Sequence, residues 1–202
     1  MLTRGPFSYI IVLTSIILGL GVTRLVGGLG HLLQTRKRRR PYWVHTLWMV
    51  NLLLATAIIW WMTFRWRVIE HWTFFLFLFL LLTPTLLYLI SSLLFPDQEE
   101  ETIADWQTYF FDNNRVVFSL YALVFPIDIL DTFLKGMEHA RAQGPFYWIT
   151  MTLWFTLCLI GAATKNRRYH GMFAVFFLVY NLVFVGLTAI TDQTAPGGRL
   201  EP

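Results

Sequence analysis

Four polar side chains stand inside otherwise apolar runs of this chain: Arg24, Asn51, Asp128 and Asn181. A charge in hydrocarbon is costly, so an ionisable residue within a membrane-length run marks a candidate functional site that needs a partner. At ~1.5 Å per helical residue, Arg24 lies roughly 15 Å in from Gln34, Asn51 roughly 13–14 Å in from Tyr42, and Asn181 roughly 15 Å into the last run. Asp128 lies roughly 20 Å beyond Arg115. These depths predict a polar layer near mid-membrane to which four helices contribute. In that layer Asp128 would carry a cation or proton, and Arg24 would be its counter-charge or an anion contact. Pro84 and Pro126 each remove a backbone hydrogen bond and permit a helix bend. Broken helices at mid-membrane are one way in which transporters build ion sites.

Each of these residues also has a plainer role open to it. Arg24 can snorkel towards headgroups along its own stem. Asn51 and Asn181 can bridge helices. Asp131 shares a helical face with Asp128 but sits nearer the end of its run, where Arg65 or Arg67 at the rim would pair with it. The glycines around Arg24 (Gly19, Gly21, Gly27, Gly28 and Gly30) allow neighbouring helices to come close.

Enzymatic signatures are missing from the sequence, which holds neither a Gly-x-Ser-x-Gly elbow nor a His-Glu-x-x-His zinc helix. Gly19-x-Gly21 does not follow a strand, so it does not open a nucleotide-binding fold. The five histidines fall at predicted helix ends or loops, and no catalytic residue, metal or cofactor is expected. Cys158, the only cysteine, excludes an intramolecular disulfide or a thiol-based zinc site.

The elements that must carry these residues follow from composition. Of 202 residues, 56% are hydrophobic and 14% charged. A soluble domain carries about 25% charge, so the surface is short of polar groups unless it faces lipid. Apolar runs near the ~20 residues needed to cross a bilayer lie at about 7–33, 42–64, 72–95, 115–134, 145–164 and 171–191. The reading is an all-α, six-span bundle forming one membrane domain over 1–191. Its acidic segment, 96–114, would be cytoplasmic and interfacial, and the tail, 192–202, disordered. Thr102 and Asp105 resemble a capping box, and the aromatic stretch after them predicts a short interfacial helix before the fourth span. Trp66 and Trp106 fall in a predicted aromatic belt.

Arg36, Lys37, Arg38, Arg39 and Arg40 form one basic loop. It suits anionic lipid headgroups better than a nucleic-acid groove. With that loop in the cytoplasm, nine of the sixteen Lys and Arg residues are cytoplasmic and six are outer, with Arg24 in the membrane. Both termini are then on the outer side.

Two stretches carry a resemblance. Leu94-Phe95-Pro96, Asp105 to Phe111 and Asn114-Arg115 form one; Gly19-x-Gly with Thr23-Arg24 forms the other. Both resemble small multi-span bacterial membrane proteins of unassigned function. The resemblance implies a multi-pass protein of the bacterial inner membrane and carries over no activity or site.

The leading functional expectation is a small channel or transporter for an ion or small solute. The alternative is a non-enzymatic accessory or assembly subunit of a larger membrane complex, or a homo-oligomer, in which the polar groups serve packing. A membrane enzyme acting on lipid would rest on the acidic run alone.

Overall fold

The computed structural model describes residues 6–37, 40–69, 71–95 and 105–194. Every regular element among them is helical: α1 (Pro6–Thr35), α2 (Trp43–Thr63), α3 (Phe74–Leu94), α4 (Trp106–Leu134), α5 (Met137–Ala142), α6 (Gly144–Ala163) and α7 (Arg167–Thr194). A 3-10 turn, Phe64–Val68, extends α2. All but α5 are long and apolar enough to cross a bilayer. The protein is therefore an all-helical, multi-pass membrane protein with six candidate spans.

Local chemistry sets the helix starts. The Thr73 side chain accepts from Leu76 N and opens α3. Asp105 accepts from Thr108 N and opens α4. Asn166 Oδ1 accepts from Arg168 N and Tyr169 N and opens α7. Each side chain satisfies donors that a helix N-terminus leaves without an internal acceptor.

α4 departs from expectation. Among the described residues no separate interfacial helix precedes the fourth span; α4 runs unbroken from Trp106 to Leu134. Asp105 is itself the N-cap, and Thr102 lies outside the described residues. Trp106, Phe110, Asn114, Val117, Phe118 and Tyr121 are buried at helical spacing, so one face continues the apolar stripe back to the cap. The first turns of α4 are thus held by packing rather than by lipid. The polar connection before Pro145 contains α5, and α7 continues through Asp192 to Thr194.

α1 packs along α3, α2 along α7, and α4 along α6, with α3 also against α4. Phe7 stacks on Trp72 at one end of α1, while Gly28 meets Phe95 at the other, so α1 and α3 run parallel. A Cβ at Gly28 would stand 2.8 Å from both Met49 Cε and the Phe95 ring, so a larger residue there would have to push these side chains aside. An aromatic plug fills the centre. Trp48 meets Phe118 and Phe173 at 4.9 Å, and Trp154 meets Phe177 at 4.8 Å between ring centroids. Pro84 and Pro126 lie inside α3 and α4, and both helices continue through them without the break that a discontinuous span would show.

Candidate functional site

The predicted polar layer does not assemble. Arg24 Nη2 donates to the Phe95 carbonyl at 3.4 Å, just past the end of α3. Two neighbouring carbonyls are taken by other helices. His45 Nε2 donates to Leu94 O at 2.7 Å, and the Tyr109 hydroxyl donates to Leu93 O at 2.9 Å. The last carbonyls of a helix have no internal donor and sit at the negative end of its dipole. Arg24 therefore finds an acceptor at the α3 terminus. Nineteen residues separate Tyr109 from Asp128 on α4, roughly 28 Å of helix. Asn51 Nδ2 donates to Ala174 O of α7 at 2.9 Å, which is the helix-bridging role, and its Oδ1 has no partner among the described residues.

Asp128 and Asn181 meet elsewhere, on the wall of a cavity of about 420 Å³ between α2, α3, α4, α6 and α7. The cavity begins among polar groups at the C-terminal end of α4. Asp128 accepts from the Tyr147 hydroxyl at 2.7 Å through Oδ2. Tyr147 has one proton to give, and its oxygen stands 2.8 Å from Thr132 Oγ1. The bonds therefore run from Thr132 to Tyr147 to Asp128. Asp128 Oδ1 has no hydrogen-bond partner among the described residues, and the carboxylate remains accessible from the cavity.

Asp131 does not pair with Arg65 or Arg67. It binds Lys135 one turn along the same helix and accepts from Trp66 Nε1 at 2.6 Å. An i,i+4 partner needs no loop to place it. The 3-10 turn points Trp66 inward, at 1% exposure, and leaves Arg65 and Arg67 on its outer sides. The Lys135 ammonium lies 5.2 Å from the centre of a Trp66 ring. Trp66 is thus a buried site residue rather than part of a lipid-facing belt. Trp106 is also buried, stacked between His45 and Phe95.

Arg65, His139 and Gln143 complete the mouth. His139, on α5 outside the spans, has its protonation pushed below the usual histidine range. Partial burial is the main cause, followed by the cations Lys135 and Arg65, with Asp131 opposing them.

Deeper in, the walls become aromatic and apolar, with Phe79, Pro84, Phe125, Trp154 and Phe177 among them. Tyr121 and Asn181 also belong to this part of the wall, and Tyr121 Oη and Asn181 Nδ2, on residues 3% and 6% exposed, are buried within the packing with no hydrogen-bond partner among the described residues. Pro84 lacks an N–H, which frees the Leu80 carbonyl in the same wall.

Tyr147, Trp66, Lys135 and Tyr121 escape a reading by depth. Tyr121 was detectable, because it lies seven residues before Asp128 and so shares its helix face. Of the basic loop, Arg36 donates to Leu33 O, Lys37 and Arg40 are exposed, and Arg38 and Arg39 lie outside the described residues.

Compared with models of known protein families, with curated proteins and with solved structures, the chain has no match.

Proposed function

We propose that this protein is a small-solute transporter of the carrier type, with the Asp128 cavity as its substrate site. One observation carries the reading: a 420 Å³ cavity within the spans presents an accessible carboxylate, and the aromatic plug stands between it and the α3 terminus. A site open at one end and packed at the other suits a carrier that exposes its substrate to one side at a time. It does not suit a continuous pore. The Lys and Arg distribution puts the basic loop in the cytoplasm and both termini, with the cavity mouth, on the outer side. The short sequence resemblances favour the bacterial inner membrane, and the 36–40 loop supplies contacts to its anionic headgroups.

The test uses the purified protein in liposomes, with proton flux followed alongside a panel of labelled inorganic ions, amino acids, organic cations and organic anions. The expected outcome is uptake of one class above empty liposomes that is lost in Asp128→Asn at equal reconstitution. A monodisperse wild type that moves no member of the panel overturns the reading.

A second reading, an accessory subunit of a membrane complex or a homo-oligomer, has its own observation. Gly19, Thr23, Gly27 and Gly30 face outward on α1, and a Cβ at any of the three glycines would meet nothing within 4 Å. Small residues at this spacing let another helix approach closely. Cross-linking through cysteines placed at Gly19 and Gly27 in native membranes separates the two: a homotypic or partner adduct at both positions supports this reading, and none argues against it.

A further inference from the structure

We infer that the cavity binds an amphipathic organic cation: a cationic nitrogen against Asp128 and an apolar or aromatic body among the rings. This rests on the proposed function and names its substrate class.

The uncommitted carboxylate sets the sign. Asp131 and Lys135 satisfy each other, and Trp66 completes the carboxylate's set. Arg65 lines the mouth and, like Asp128, is exposed. Asp128 is the lining carboxylate with coordination to spare. It lies one turn farther into the membrane than Asp131, and only Oδ2 is engaged among the described residues.

The rings reinforce that choice. Ten of the lining side chains are aromatic, Phe125, Trp154, Phe177 and Tyr180 among them. Ring faces are negative, so a cavity walled this way favours a cation and disfavours an anion. A bare inorganic cation would leave most of this apolar wall unused, whereas an organic cation covers it.

The depth of the cavity sets the length. Tyr121 and Asp128 lie on one face of α4, seven residues apart, or roughly 10 Å along the axis. Asn181 reaches the same inner region from α7, one turn beyond Phe177, whose ring packs edge-on to Tyr121 at 5.5 Å. A rigid two-ring cation spans that distance, with its charged end at Asp128.

The experiment is equilibrium dialysis of labelled 1-methyl-4-phenylpyridinium against the purified full-length protein in detergent, with 4-biphenylcarboxylate as a competitor of similar shape and opposite charge. Wild type should bind the cation saturably, and the carboxylate should not displace it. Asp128→Asn should weaken binding by about ten- to a hundredfold, the scale of a lost interaction with a charged group. Asp128→Glu should recover part of it. Glu138→Gln, an exposed acid outside the cavity, should leave it unchanged. A competing carboxylate, an Asp128→Asn protein that is monodisperse and binds like wild type, or a wild type that binds no cation overturns the inference. Binding needs no transport, so saturable binding without uptake would overturn the carrier reading alone. Asp128-dependent uptake of a different solute class would overturn the ligand class alone.

Discussion

At one end of the bundle the C-termini of α3 and α6 are tied to neighbouring helices; at the other, the helices stand apart around a cavity. At the tied end, Tyr109, His45 and Arg24, from three different helices, cap three successive carbonyls at the end of α3. α6 ends in the same way. Asn114 Nδ2 donates to both Gly161 O and Thr164 O, and His170 Nε2 donates to Thr164 O. At the cavity end the polar groups cluster along α4 itself and around Trp66, and they leave Asp128 Oδ1 open. Terminal carbonyls in a membrane protein must be satisfied by protein where lipid cannot do it. The tied end spends its polar side chains on that duty. The open end keeps the Asp128 carboxylate accessible from the cavity with one oxygen uncommitted among the described residues, and that is where a ligand can be recognised.

The largest expected effect lies on the boundary between the two ends. Trp48→Ala removes the ring that joins Phe118, Phe173 and Phe177 and should cost about 3–5 kcal/mol. Thermal unfolding in detergent should show a large drop in midpoint; a drop no greater than that of a lipid-facing Val12→Ala control would mean that the plug does not hold the ends together.

Next comes a single cap. His45→Phe keeps a ring against Trp106 but leaves the buried Leu94 carbonyl without its donor, at a cost of about 1–3 kcal/mol. Because the site lies at the far end, uptake or cation binding per folded molecule should stay at the wild-type level. A loss of binding larger than the loss of folded protein would break the separation of the ends.

Asp128→Asn should show the opposite pattern. The amide oxygen still accepts from Tyr147, so the unfolding midpoint should change by less than about 1 kcal/mol equivalent while cation binding collapses. A destabilisation as large as that of His45→Phe would place Asp128 among the packing residues.

The smallest effect concerns pH. Folding lowers the proton affinity of His139, chiefly by burial and secondarily through Lys135 and Arg65. Below the ordinary histidine value the unfolded chain then binds more protons than the folded one, so stability is full at neutral pH and falls on acidification. Asp131, which faces the same group, opposes the shift and limits its size. Thermal midpoints compared at pH 7 and pH 5 should fall slightly more in wild type than in His139→Gln. Equal falls would remove His139 from the electrostatics of the mouth.

Much of this was legible in the chain before any fold. Apolar runs of bilayer length, parted by Arg36 and Lys37, by Arg65 and Arg67, and by Lys165 to Arg168, determine six helices, since an uninterrupted run must satisfy its own backbone in lipid. The rarity of Asp128 inside such a run marks it as a candidate, because its cost does not depend on topology. The partners could not be read the same way. Depth along each span put Arg24, Asn51, Asp128 and Asn181 at one level, but depth says nothing about direction around the helix or about which termini end nearby. Arg24 turned to an uncapped α3 carbonyl, Asn51 to α7, and Asp131 to Lys135 and an inward Trp66. The sequence by itself determined how many helices cross and which side chains are out of place in lipid. Only the tertiary structure decided which of them are used up by unsatisfied backbone and which are left facing a cavity, because that depends on helix rotation, tilt and the positions of other helices' ends.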